Sequence, residues 1–265
     1  MVEAITSRTR AIFVVHYAGI AADMDRLSQI ANANDLMLIE DAAQALGSTY
    51  KGRQVGSLGD MAAFSFHETK NIVSGEGGAL VFTRPNLVER GEIIRQKGTN
   101  RSKFMKGEVD KYTWIDLGSS YLPGELVAAF LYGQLQEADA IKKKRLHIFD
   151  QYCEAFHDLS ATGRIGVPHI PKECTGNGHM FYLLMKDLAE RDNFIQYMQK
   201  HNITTPHHYV PLHSSPAGER FGRSQGELPI TNEVSEKLVR LPNYCELGTN
   251  IDFIIDKARS YLVSN

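Results

Sequence analysis

The chain has 265 residues, 43% hydrophobic and 23% charged, an ordinary globular balance that allows one large domain or two modest ones around a sizeable core. Its formal charge of −2 offers no footprint for nucleic acid or an anionic membrane, and no apolar stretch is long enough to cross a bilayer. The N-terminus, Met1-Val2-Glu3-Ala4, lacks a basic region followed by an apolar run, and Cys153, Cys174 and Cys245 are far apart with no C-x-x-C spacing, so a soluble cytoplasmic protein with reduced, mostly buried thiols is expected.

The first half alternates between strand and helix patterns. Ala11 to Val15 is a continuous apolar run, which predicts a strand covered on both faces. Asp23 stands where an N-cap belongs, Met24, Leu27, Ile30 and Ala31 follow at helical spacing, and Asn34 closes the helix. Leu36 to Ile39 is a second buried strand. Gly52, Gly56 and Gly59 punctuate a loop or hairpin before a third apolar run, Met61 to Phe66. A fourth, Ala79 to Phe82, follows Gly75-Glu76-Gly77-Gly78, and Pro85 marks the first turn of a helix. This order predicts a mostly parallel α/β sheet.

Gly124 to Leu159 reads as helix with a break near Ala138 to Ala140, and Lys142-Lys143-Lys144-Arg145 as a solvated helix face rather than an anion patch. Beyond Leu159 proline and glycine punctuate short segments. A strand is predicted from Met180 to Met185, a helix from Asp192 to His201, an extended segment from His207 to His213, and a last helix from Asp252 to Tyr261. The domain division expected is 1–139 for a large α/β domain and 140–265 for a smaller α+β domain with its linking helix.

Open parallel sheets bind ligands past the carboxyl ends of their strands. Asp41 and Gln44 lie just past one such end, in Asp41-Ala42-Ala43-Gln44, and Ser65 to Lys70 just past another. A carboxylate, an amide, a hydroxyl and an amine so placed are the groups that hold a pyridoxal 5'-phosphate ring. Asp41 would keep the ring nitrogen protonated, which makes the ring an electron sink. Gln44 would bond the phenolic oxygen, Ser65 the phosphate, and Lys70 would join the cofactor aldehyde and later move protons. Singly, each has a blander reading: a helix cap for Asp41, a solvated side chain for Lys70. Their order and spacing together favour the cofactor. No metal site is expected, because Asn71 stands where the second histidine of H-E-x-x-H would follow His67-Glu68. The glycine run lacks the lysine and hydroxyl of a P-loop, and His207, His208 and His213 have no carboxylate or cysteine near them in sequence.

These motifs, D-A-A-Q, then S-F-x-x-x-K, then E-G-G, resemble the DegT/StrS-type sugar-nucleotide aminotransferases, which are fold type I pyridoxal-phosphate enzymes. Val15-His16-Tyr17-Ala18-Gly19, Lys97 to Ser102, Asp110 to Trp114, Gly118 to Leu122, His179 to Tyr182 and His208 to His213 extend the likeness nearly end to end. They are most similar to the branch that makes dTDP-4-amino-4,6-dideoxygalactose. The resemblance implies transfer of the amino group of L-glutamate to C4 of dTDP-4-keto-6-deoxy-D-glucose by a homodimer, a step that feeds enterobacterial common antigen and related surface polysaccharides. It also implies a phosphate contact for Ser120, where many members carry asparagine, while Leu122 replaces their arginine. Loops of one subunit commonly complete the other's site in such dimers, so Arg101, Lys111 and His213 are candidates for the sugar pyrophosphate.

Members of the family carry a further segment, with sheet strands, a phosphate-binding turn and a ring-stacking aromatic, before the point that matches Met1. Met1 to Thr6 falls inside what should be a helix. The chain therefore reads as a truncated large α/β domain plus a smaller C-terminal α+β domain, with apolar sheet faces and one edge left open. That gives a second reading from another class, a non-catalytic fragment that does not hold the cofactor alone. A third, cysteine desulfuration or aldol cleavage on the same fold, finds no cysteine in a nucleophile loop.

Overall fold

The computed structural model describes residues 1–264. It divides into two compact units, one of Arg10–Tyr17 and Ala21–Ala138, the other of Met1–Thr9, Ala18–Ile20 and the chain from Asp139 onward.

The first unit is built on a four-stranded sheet. Its strands β1 (Ala11–Val15), β2 (Met37–Asp41) and β5 (Met61–Ser65) run parallel, and β6 (Gly78–Phe82) is antiparallel to β5 at the edge. Helix α1 (Met24–Ala33) connects β1 to β2. Asp23 accepts the Arg26 N–H at 3.2 Å as its N-cap, Asn34 is its C-cap, and Met24, Leu27 and Ala31 are its buried face. Between β2 and β5 a hairpin joins β3 (Thr49–Tyr50) to β4 (Arg53–Gln54). Its two turn residues, Lys51 and Gly52, both have positive φ, the twist a two-residue hairpin requires. After β6 a 3-10 turn starting at Pro85 leads into α2 (Val88–Arg95), followed by α3 (Arg101–Met105) and α4 (Glu125–Gln136).

The expectation that β1 is covered on both faces does not hold. Ile12 is buried, but Phe13 and Val15 are 61% and 48% exposed. Leu80, on the same side of the sheet, is 55% exposed as well. A continuous apolar run shows that both faces of a strand are apolar; it does not show that both have partners.

The second unit begins at α5 (Ala138–Ala161), one residue after the Glu137 cap that closes α4, so the break falls at the start of the predicted window. It continues with β7 (Cys174–Thr175), β8 (Phe181–Leu184), α6 (Leu188–Lys200), α7 (Pro216–Phe221), α8 (Pro229–Lys237), β9 (Leu238–Leu241) and α9 (Asn250–Ser264). Helix α6 starts four residues before the predicted Asp192, because Asp187 caps it by accepting the Glu190 N–H at 2.9 Å while Glu190 reaches back to the Lys186 N–H. The strand β9, absent from the sequence reading, pairs antiparallel with β8, and α9 is longer at both ends than predicted. The residues from His207 to His213 are not extended throughout: Leu212–Ser214 form a 3-10 turn. At the N-terminus, where a helix was expected, Val2–Ala4 make one 3-10 turn.

The core of this unit is aromatic. Tyr152, Phe156, Phe181, Leu183, Phe194 and Met198 are fully buried, and Phe181 packs edge-on to Phe149 at 5.3 Å. The Tyr152 hydroxyl is satisfied by the Pro242 carbonyl at 2.8 Å, so its ring adds apolar area without leaving a buried donor unpaired. No helix among the described residues is long and apolar enough to cross a membrane.

Candidate active site

The sheet of the first unit sorts its side chains by alternation. Asp41 is the last residue of β2, level with Val15 of β1 and Ala63 of β5, and Ala63 is level with Leu80 of β6. Asp41, Val15, Ala63, Leu80 and, two residues on from Ala63, Ser65 therefore share one face, the open one. One Asp41 oxygen accepts the Ala43 N–H at 3.0 Å, and its other oxygen makes no hydrogen bond with the described residues. Gln44 lies half-buried in the turn that follows, which Ala45 N–H to Ala42 carbonyl and Ser48 N–H to Ala45 carbonyl bonds hold closed.

Ser65 ends β5. Its hydroxyl oxygen accepts the His67 N–H at 3.3 Å, which leaves the O–H free to donate elsewhere. The segment from Phe66 to Gly77 is a braced loop. Phe66, Ile72 and Ser74 are buried, and N–H bonds run from Phe66 to Gly77, from Glu68 to Gly75 and from Ser74 to Phe66. The His67 ring bonds Thr69, and its Nε2 lies 3.7 Å from Glu76. Lys70 sits on this loop with its N–H on the His67 carbonyl, and its amine has no hydrogen bond or ion pair among the described residues.

The other sequence candidates are not joined to these by any hydrogen bond or ion pair to Asp41, Ser65 or Lys70 among the described residues. Ser120 is exposed and bridges backbone to Gln96. Arg101 opens α3 and Lys111 follows it, both exposed. His213 belongs to the second unit, where its Nε2 meets the Asn232 Oδ1 of α8 at 2.9 Å.

One pair escaped the sequence reading. Glu40, next to Asp41 but on the opposite face of the sheet, is fully buried with His16, and the His16 Nε2 lies 2.9 Å from its Oε2. The same carboxylate accepts the N–H groups of Gly56 at 2.8 Å, Leu58 at 2.7 Å and Gly59 at 2.6 Å. The His16 Nδ1 accepts the Ala22 N–H at 3.2 Å, so that nitrogen carries no proton and Nε2–H donates to Glu40. Burial alone would push the Glu40 carboxyl up. The His16 bond and the three backbone N–H groups outweigh it and hold the carboxyl below its ordinary range. The chain comes this close because position 59 is glycine: a Cβ there would strike the Leu38 carbonyl and the Glu40 side chain. The signal was present in the sequence, since a glutamate two residues after Leu38 falls on the buried side of β2 and must be paired there.

The sequence profile of the DegT/DnrJ/EryC1/StrS aminotransferase family matches residues 1–258. The chain belongs to this family. Among relatives in the family, MJ1066 of Methanocaldococcus jannaschii is 36% identical over 96% of this chain and 66% of its own length. The dTDP-3-amino-3,4,6-trideoxy-alpha-D-glucose transaminase of Streptomyces venezuelae is 33% identical over 91% of this chain and 60% of its own. The chain thus spans about two thirds of the length of the curated relatives it matches. Among solved structures, the PLP-form of the putative sugar aminotransferase Spr1654 from Streptococcus pneumoniae superposes with a TM-score of 0.85 at 26% identity, over 99% of this chain and 71% of that one. The α/β architecture is that of the fold type I enzymes to which the DegT family belongs.

The three cysteines form no disulfide among the described residues and are only half-buried, less enclosed than the sequence reading expected. Burial, with Asp150 beside it, pushes the Cys153 thiol up to about 11.

Proposed function

We propose that this chain takes part in pyridoxal-phosphate-dependent amino transfer to a keto sugar carried on a nucleotide. The observation that carries the reading is that Asp41 and Ser65 end the adjacent parallel strands β2 and β5 and Lys70 lies on the loop that follows β5, with one carboxylate oxygen, one hydroxyl proton and one amine uncommitted among the described residues. These groups fit pyridoxal phosphate, an aldehyde with a phosphate and a basic ring nitrogen. When bound, that group supplies an electron sink for a carbanion at the donor's α-carbon.

In this reading Asp41 faces the ring nitrogen and holds a proton on it. The Ser65 O–H, and Ser120 from a second subunit, donate to phosphate oxygens, and Gln44 orients the ring through its phenolic oxygen. The Lys70 amine would hold the aldehyde carbon and, once displaced by the donor's amine, would carry the proton from the donor's α-carbon to that cofactor carbon. The braced loop fixes where Lys70 starts, and Arg101, Lys111 and His213 supply cationic or donor groups for the sugar pyrophosphate. The overall exchange balances: L-glutamate and a 4-keto sugar give 2-oxoglutarate and a 4-amino sugar.

We take the acceptor to be dTDP-4-keto-6-deoxy-D-glucose aminated at C4, on the strength of the motifs from Val15 to His213 and as a step toward surface polysaccharide. The relative from Streptomyces venezuelae, named for a 3-amino product, keeps C3 in play. A homodimer suits α4, in which no residue is buried and Leu126 and Phe130 are 88% and 55% exposed. The open sheet face around Asp41 favours a second reading, a chain that does not hold the cofactor alone.

An absorbance scan of the purified chain with pyridoxal phosphate, then L-glutamate, separates the two. A band near the visible edge that shifts with glutamate, and is lost in Lys70→Ala, supports the enzyme; folded protein with no band supports the second reading. Mass spectrometry of the sugar product then distinguishes C4 from C3.

A further inference from the structure

Glu40 and Asp41 are consecutive residues of one strand and point to opposite faces of the sheet. Besides the ladder bonds to β1 and β5, the end of this strand is fixed by a buried cluster on the Glu40 face. The Glu40 carboxylate ties β2 to the 56–59 turn that leads into β5, through the Gly56, Leu58 and Gly59 N–H groups. Through His16 it ties β2 to the end of β1, and the His16 backbone N–H donates to the Asp41 carbonyl at 3.0 Å. On the far side, the Ala42 N–H donates to the Ala63 carbonyl at 2.9 Å. The peptide group that follows Asp41 is therefore held on both sides, at its carbonyl and its N–H, by segments that this buried pair pins.

We propose that the buried His16–Glu40 pair is a positioning device for Asp41, setting from beneath the sheet the direction in which the Asp41 carboxylate points above it. The inference rests on the reading of Asp41 as the partner of the cofactor ring nitrogen. Neither His16 nor Glu40 touches the ligand. Four hydrogen bonds to one buried carboxylate are more than register needs, because the β1–β2–β5 ladders already set it. The surplus bonds remove the remaining play at the end of β2, where a carboxylate must meet a ring nitrogen within a few tenths of an ångström. An amide at position 40 has one acceptor oxygen where the carboxylate has two, and turns an N–H toward donors it cannot accept from.

The test is a double-mutant cycle on cofactor affinity, measured by equilibrium dialysis of the full chain against pyridoxal phosphate. Circular dichroism and the thermal midpoint report folding in parallel. Glu40→Gln should weaken binding on the order of 10-fold, the usual cost of losing a group that orients a ligand contact. In an Asp41→Asn background the same substitution should change affinity by less than about 2-fold, because the carboxylate it aims is already gone. A full-size Glu40→Gln effect in the Asp41→Asn background, or no effect in the unmodified chain, overturns the proposal and leaves the pair a purely structural one. If Glu40→Gln does not fold, His16→Gln, which keeps the three backbone donors on Glu40, goes through the same cycle; failure of both to fold also marks the pair as structural. The underlying reading fails separately: no binding by the unmodified chain, or binding indifferent to Asp41→Asn, contradicts the cofactor site itself and takes the proposal with it.

Discussion

The two units of this chain use apolar residues in opposite ways. From Asp139 onward the aromatic and aliphatic side chains of α5, β8, α6, β9 and α9 close on one another, and Tyr152, Phe156, Phe181 and Phe194 have essentially no contact with water. In the other unit the sheet is packed on one side only, and Phe13, Val15 and Leu80 stand in water on the other. The groups suited to chemistry, Asp41, Ser65 and Lys70, lie on or beside that open side, while the buried charge, Glu40, is fully bonded underneath. One unit turns burial into stability. The other bonds its buried face tightly and leaves the opposite face open.

That contrast can be broken by substitution. Phe181→Ala should cost about 3–5 kcal/mol of stability in chemical denaturation, by transfer and cavity effects together. Phe13→Ser, an equally apolar position by sequence, should change stability by no more than about 0.5 kcal/mol, as exposed sites do, and should raise solubility. A large loss at Phe13 would mean that the open face is covered in solution.

A pH series sharpens the other side of the comparison. The folded-state pKa of Glu40 lies below its ordinary value of 4.5, so the carboxylate contributes stability that is complete above that value. The contribution is lost as pH falls through the lower, folded value, because protonation then costs the four bonds. The thermal midpoint should fall between pH 5 and acid more steeply in the unmodified chain than in Glu40→Gln; parallel curves would contradict this. The smallest effect is chemical. With its thiol pushed up to about 11, Cys153 should carry about 100-fold less thiolate than an ordinary cysteine at pH 8, and iodoacetamide should label it slowly in peptide mapping. Labelling at the rate of a free thiol would show that the helix opens locally.

The strand and helix order of the first unit, the Asp23 cap and the hairpin were legible in the sequence because each has a local cause: an apolar run, a cap oxygen, a glycine at positive φ. The second unit was read less well. Its β9 has no turn signal before it, since Leu238 follows directly on α8, and the start of α6 hid in Asp187, whose partner Glu190 makes the cap visible only as a pair. For the proposed site, the positions of Asp41 and Ser65 at strand ends, and of Lys70 on the loop after β5, were legible because the apolar runs stop there. The His16–Glu40 pair could not, because its meaning lies in tertiary bonds between residues 24 positions apart. Ser120 was named from resemblance, and Arg101, Lys111 and His213 as cationic or donor side chains on loops; among the described residues no hydrogen bond or ion pair links them to the strand-end groups.

The measurement that bears most directly on the central claim is borohydride reduction of the chain loaded with pyridoxal phosphate, followed by peptide mapping. A pyridoxyl group on Lys70 alone is the expected result. Label spread over other lysines, or none on Lys70 in folded protein, would contradict the assignment of Lys70 and with it the account of the site.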